Sequence, residues 1–182
     1  QRGFDVAVLG VPAYSTLGAF SDPLLSTFIA WPEAELARLL FHELAHQLVY
    51  VKDDSAFNES FAVAVEREGV RRWLSAGGRA GELRRFEEAR HREQEFARLL
   101  GATRARLEML YATKLAPDEM RVRKRAAFAG LAADPLYRRY ARRFGEAPTN
   151  ALLASFATYS QRVPVFERLL AARGGELEKF YA

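Results

Sequence analysis

Residues 33 to 50 form a long, mostly apolar segment that carries two histidines and a glutamate near its middle. Its apolar residues recur at three- or four-residue steps, which is the spacing of one buried helix face. They are Leu36, Leu40, Leu44, Leu48 and Val51. Pro32 and Glu33 are typical of a helix start, and the polar run 52–55 ends the pattern. The segment predicts a central buried helix, in which unpaired charges would be costly.

The two histidines of this helix have the spacing of a metal site. His42 and His46 are four residues apart, so their imidazoles project from one face and can bind the same ion. Glu43 is rotated off that face, where it can accept a proton from the water that the metal activates. The spacing predicts one Zn²⁺ ion with His42 and His46 as ligands and Glu43 as the general base.

A catalytic zinc usually has a third protein ligand and leaves its fourth position to water. Glu59 is the best candidate, because the twelve residues between it and His46 leave room for the chain to reverse. Asp53 and Asp54 are rivals, although they lie inside the connecting loop. Glu66 follows on the same helix face as Glu59, and we expect it to accept a hydrogen bond from a ligand histidine.

The rest of the chain predicts a mainly α fold of the α+β class, with a small strand region at 4–12. A second helix is predicted at 57–74 and ends before Gly77-Gly78, and a long charged helix at 80–114 is interrupted at Gly101. Further helices are predicted at 117–133, from 135 to the turn at 145–148, and at 164–173, with a polar stretch at 150–162. We expect a zincin-like arrangement, in which the motif helix packs on the second, ligand-bearing helix. Residues 1–182 are expected to form a single domain.

Composition limits the classes of function. Cysteine is absent, so a metal must be held by imidazole and carboxylate groups. The net charge of +4 comes from arginines interleaved with glutamates at helical spacings, which favours solvated helix faces over a nucleic-acid site. No apolar run reaches the roughly 20 residues that span a bilayer. Because the sequence begins at Gln1, we expect it to be a fragment that lacks an N-terminal segment.

Several runs of the sequence resemble known peptidases. Residues 58–66, Asn-Glu-Ser-Phe-Ala-Val-Ala-Val-Glu, are similar to the Asn-Glu-Gly-Phe-Ala segment of gluzincin aminopeptidases, which place a longer gap before the glutamate. Together with residues 12–18 and 42–47, this segment resembles a bacterial family of predicted aminopeptidases. The resemblance implies aminopeptidase activity and a periplasmic or membrane-anchored location, through an N-terminal lipoprotein-type export signal that we expect this fragment to have lost.

The predicted reaction is hydrolysis of a peptide bond. Tyr159 is the first candidate for stabilising the oxyanion and Tyr14 the second, although a buried structural tyrosine is an equal alternative. Tyr14, Ser15 and Thr16 are predicted to bind an extended peptide substrate as an edge strand. Two other functions remain open: a zinc endopeptidase or amidase that acts on cell-wall peptides, and a non-catalytic helical binding module with a structural metal.

Overall fold

The computed structural model describes residues 5–6, 26–144 and 147–182. Its helices are α1 (Glu33–Leu48), α2 (Ser55–Ala76), α3 (Ala80–Tyr111), α4 (Pro117–Ala133), α5 (Pro135–Phe144), α6 (Asn150–Ser160), α7 (Val163–Ala172) and α8 (Leu177–Tyr181). These three ranges contain no strand, so the mainly helical prediction is confirmed for them. The strand predicted at 4–12 lies outside the described residues, apart from Asp5 and Val6, which are not in a strand.

The helix ends follow local signals in the sequence. α1 begins directly after Pro32, and α4 begins with Pro117, whose missing N–H costs nothing in a first turn. The carboxylate of Asp54 accepts a hydrogen bond from Phe57 N at 2.9 Å and so caps α2. Beyond α2 the chain turns at Gly78, whose φ of 66° favours glycine. By contrast, α3 is continuous through Gly101, so the interruption predicted there is wrong.

The prediction that the leucine row of α1 is buried is wrong. The exposed fractions are 42% for Leu40, 52% for Leu44 and 56% for Leu48, and Val51 is exposed beyond the end of the helix. At 3.6 residues per turn, Leu44 lies about 200° around the helix from His42. The face that α1 buries carries the histidines, and it packs along α2.

The contact between α1 and α2 is close because α2 has a glycine where the helices meet. A Cβ atom built on Gly69 would lie 2.8 Å from Cγ of Phe41, closer than side chains pack. Leu39 and Ala45 of α1 are also buried. This approach sets the distance between the histidines of α1 and the acids of α2.

The described residues group into two compact units. The site unit comprises residues 26–89 and 158–182, and the second unit comprises residues 5–6, 90–144 and 147–157. The core of the site unit includes Phe61 of α2, Phe166 of α7 and Phe180 of α8, whose rings pack against one another. The core of the second unit is formed around Phe96 and Tyr137. The single domain expected from the sequence stays a prediction.

The C-terminal part contains more helix than the sequence indicates. The polar stretch predicted at 150–162 is largely the helix α6, in which Leu152 and Leu153 are buried. The prediction is wrong there because the small and polar residues among them obscured the helical spacing of Leu152, Leu153, Phe156 and Tyr159. In the part of the chain that the structure describes, no helix is long and apolar enough to cross a membrane.

Candidate metal centre

Three predicted ligands converge between α1 and α2. Nε2 of His42 lies 3.3 Å from Nε2 of His46 and 3.2 Å from Oε2 of Glu59. The remaining pair, Nε2 of His46 and Oε1 of Glu59, is separated by 3.8 Å. The side chains are 14%, 8% and 22% exposed, respectively, so the cluster is only partly covered. His42, His46 and Glu59 thus form a group that could hold a metal ion.

The spacing of these atoms agrees with the size of a zinc site. Ligand bonds of about 2.0–2.1 Å in a tetrahedron place neighbouring ligand atoms about 3.3–3.4 Å apart. The distances of 3.2 and 3.3 Å match this value, and the distance of 3.8 Å requires a small rotation of the carboxylate. The donor set, two imidazoles and one carboxylate, is also one that zinc takes in catalytic sites.

The hydrogen bonds of His42 leave a lone pair directed into this cluster. Oε2 of Glu66 lies 2.9 Å from Nδ1 of His42, and since a carboxylate can only accept, Nδ1–H donates. In neutral His42, Nε2 is then an acceptor that faces Glu59, another acceptor. Such a cluster requires a positive charge at its centre, either a proton or a cation.

The pKa values of the two imidazoles express this requirement. Burial disfavours the charged form of His42, but the hydrogen bonds that the protonated ring donates to Glu59 and Glu66 outweigh burial and raise the pKa of His42 to about 9. The pKa of His46 is lowered instead, by burial and by the charge on His42. The buried Nδ1 of His46 has no hydrogen-bond partner. One extra positive charge therefore satisfies the group, and a metal ion at the Nε2 atoms fits it.

The loop between the helices is closed by Asn58, the residue before Glu59. Its Oδ1 accepts from Val51 N, and its Nδ2 donates to Val51 O, both at 2.7 Å. Asn58 is 3% exposed, so these two bonds are shielded from water. They hold the reversed chain against the first turn of α2, next to Glu59.

The two rivals for the third ligand are occupied in other ways. Asp54 caps α2 and forms an ion pair with Arg162, at 2.7 Å. The hydrogen bond from Arg162 is the main cause that lowers the pKa of Asp54, and the hydrogen bond from Phe57 N lowers it further, against the opposing effect of burial. Asp53 lies in the turn with a positive φ of 64° and is exposed. The structure therefore brings Glu59, and not the loop aspartates, to the histidines.

Glu66 is buried on α2, where it contacts both the imidazole of His42 and a guanidinium from α1. Nη1 of Arg38 lies 3.2 Å from its Oε1 and 3.1 Å from its Oε2. Burial raises the pKa of Glu66, yet the hydrogen bond from His42 and the charge of Arg38 outweigh it, and the pKa is lowered. An ionised Glu66 accepts a hydrogen bond from Nδ1–H of His42 and so fixes the orientation of the imidazole ring.

Two further predicted residues lie within electrostatic range of the cluster. Burial raises the pKa of Tyr159, and the negative charges of Glu59 and Glu43 raise it further. Glu43 is half-buried, and its charge also acts on His46. Tyr159 is 48% exposed, so it is not the buried structural tyrosine that was the alternative.

The chain just beyond Tyr159 is hydrogen-bonded to the start of α2. The backbone N–H of Arg162, three residues beyond Tyr159, donates to Oγ of Ser60 at 3.3 Å, in addition to the ion pair with Asp54. These contacts keep the end of α6 beside Glu59.

Not all of the predicted roles can be placed, and three contributors are absent from the prediction. Tyr14, Ser15 and Thr16 lie outside the described residues, and the roles of the other predicted residues stay predictions. Sequence reasoning missed the contributions of Arg38, the Asn58 side chain and Arg162. Only Arg38 had a usable signal, because it lies four residues before His42 and therefore on the same helix face.

One comparison with known proteins identifies a family for this chain. The sequence model of a family described as putative aminopeptidase matches residues 1–182, the whole chain. No curated protein and no solved structure matches it. The chain therefore belongs to the putative aminopeptidase family.

Proposed function

We propose that this protein is a zinc-dependent peptidase of zincin-like architecture that acts as an aminopeptidase. The observation that carries the proposal is the convergence of the ligand atoms of His42, His46 and Glu59, with Glu43 next to the first of them. Membership in the putative aminopeptidase family supports the choice of a peptide substrate.

His42, His46 and Glu59 would hold the ion. A bound zinc supplies Lewis acidity, which polarises the substrate carbonyl and lowers the pKa of a water molecule. Glu66 holds the ring of His42 so that Nε2 points toward Glu59. The protein thus presents three ligands on two closely packed helices, which limits their freedom to rearrange.

Glu43 and Tyr159 have separate roles in the proposed reaction. Glu43 accepts a proton from the attacking water and later delivers it to the leaving amine. The phenol of Tyr159 donates a hydrogen bond to the carbonyl oxygen as negative charge develops there. The raised pKa of Tyr159 keeps this donor protonated across the neutral range.

Hydrolysis and metal binding are separated by comparing two variants. Glu43→Gln retains the shape of the side chain but cannot accept a proton, so we expect zinc to remain bound while hydrolysis falls by about 10²–10⁴-fold. His46→Ala removes a ligand and should lose both zinc and hydrolysis. Glu87→Gln on α3, an exposed glutamate of the site unit, is the matched control and should behave as wild type.

The same experiment addresses the alternative of a binding module. If the wild type binds zinc but hydrolyses no peptide, or if Glu43→Gln is as active as the wild type, the peptidase proposal is wrong. Parallel assays on aminoacyl and N-blocked peptides distinguish an aminopeptidase from an endopeptidase. Preference for substrates with a free amino terminus is the expected result.

A further inference from the structure

The guanidinium of Arg38 contacts Glu66, the acid that holds the imidazole of His42. Its Nη1 contacts both oxygens of Glu66, and its Nε donates to Oε2 of Glu35 at 2.8 Å. It therefore connects an acid on its own helix with an acid on α2. Arg38 lies one helical turn before His42, so both residues that donate hydrogen bonds to the Glu66 carboxylate lie on the same face of α1.

Among the described residues, Arg38 and His42 are the groups that hydrogen-bond to the Glu66 carboxylate. The side chain of Glu66 is 3% exposed, and its neighbours on the buried face of α2, Ala62 and Val70, are apolar. A buried carboxylate without its cation is strongly disfavoured, and it moves or changes its partners.

We propose that Arg38 is a positioning residue for the metal centre: it holds the Glu66 carboxylate where Oε2 accepts from Nδ1 of His42, and so aims Nε2 of His42 at the metal. This inference rests on the proposed metal site. The planar guanidinium matters, because it engages two carboxylates from different nitrogen atoms, whereas the ammonium of a lysine is a single point charge.

The test compares Arg38→Met with a matched control, Arg67→Met. Arg67 lies on α2 in the same unit and pairs with Glu167 at 2.7 Å. The side chains of Arg38 and Arg67 are 23% and 18% exposed, so the two substitutions replace arginines of similar burial. Only Arg38 contacts a residue that touches a predicted metal ligand.

Two measurements report whether Arg38→Met disturbs the metal site. The first is the zinc dissociation constant by chelator competition, together with the visible spectrum of the Co²⁺-loaded protein, which reports ligand geometry. The second is the ¹⁵N–¹H signal of His42 Nδ1–H in the metal-free protein, which persists only while that proton is hydrogen-bonded. For Arg38→Met we expect zinc affinity to fall about 10-fold or more, by analogy with the loss of an outer partner of a metal ligand. We also expect a changed Co²⁺ spectrum and loss of the Nδ1–H signal.

The control variant Arg67→Met is expected to leave the metal site unchanged. Arg67→Met should keep the wild-type zinc affinity within about twofold and keep the Nδ1–H signal, whatever its effect on stability. The inference is overturned if Arg38→Met retains the signal at its wild-type position, or binds zinc as the wild type does. If Arg38→Met does not fold, Arg38→Lys takes its place: we expect it to bind zinc more weakly than the wild type, and wild-type affinity would contradict the inference.

Failure of the proposed function would be visible separately. A wild type that binds zinc without hydrolysing peptides refutes the peptidase, while the Arg38 comparison remains decisive. A wild type that binds no zinc refutes the metal site and with it the positioning role of Arg38, and the Nδ1–H signal then reports only whether Arg38 orders the hydrogen bond between His42 and Glu66.

Discussion

Substitution of Gly69 by alanine tests whether the close contact between α1 and α2 is required. The new Cβ would lie 2.8, 2.9 and 3.0 Å from three ring atoms of Phe41, and these atoms are near the root of the ring, which cannot move aside freely. Replacing glycine by alanine within a helix gains about 1 kcal/mol of intrinsic propensity. Overpacking of a core costs about 1–3 kcal/mol. We therefore expect Gly69→Ala to lower the free energy of unfolding by about 0–2 kcal/mol.

Gly101→Ala is the control, because it changes propensity without a steric cost. Gly101 lies inside α3, and its Cβ would have no atom within 4 Å. We expect it to raise the free energy of unfolding by about 1 kcal/mol. Urea unfolding followed by circular dichroism measures both variants, and a difference of about 1–3 kcal/mol between them is predicted. If Gly69→Ala stabilises the protein as much as Gly101→Ala does, the close approach of α1 and α2 is not present.

Three other predictions concern Asn58, Glu66 and Glu68, which all lie on α2. Asn58→Ala removes two shielded bonds to Val51 and should cost about 1–3 kcal/mol in urea unfolding, and a loss below about 0.5 kcal/mol would contradict the role of Asn58 in closing the loop. Glu66→Gln should weaken zinc binding about 10–100-fold in chelator competition, and unchanged affinity would argue against its contact with the histidine. Burial raises the pKa of Glu68, but two arginines of α2 outweigh it and lower the pKa. The contribution of Glu68 to stability is therefore present above its pKa in the unfolded chain and lost as the pH falls through its lower pKa in the folded protein. Glu68→Gln should remove that part of the acid-induced loss of stability. An unchanged dependence of the unfolding free energy on pH would refute this prediction.

The sequence predicted the parts of this fold that depend on local rules. Pro32 and Pro117 mark helix starts because proline costs little in a first turn, and Gly77-Gly78 marks a helix end. The convergence of His42, His46 and Glu59 was predictable because four-residue spacing and a short reversing loop restrict where those side chains can go.

The features that the sequence did not predict depend on which surfaces meet. Both sides of α1 carry apolar residues, and it is the structure that shows the histidine side facing α2, through the close approach at Gly69 and the contact of His42 with Glu66. The pairing of Arg162 with Asp54 joins residues more than 100 positions apart, so no local pattern could reveal it. Helix α6 is different, because Leu152, Leu153, Phe156 and Tyr159 recur at helical steps, so its polar-stretch prediction was wrong although the sequence carried the signal.

The most direct test of the metal site is the position of zinc in a crystal of the zinc-loaded protein, located by anomalous scattering at the zinc absorption edge. We predict a single ion about 2.0–2.2 Å from Nε2 of His42, Nε2 of His46 and a carboxylate oxygen of Glu59. A zinc ion bound elsewhere, or one bound to the histidines without Glu59, would contradict this prediction.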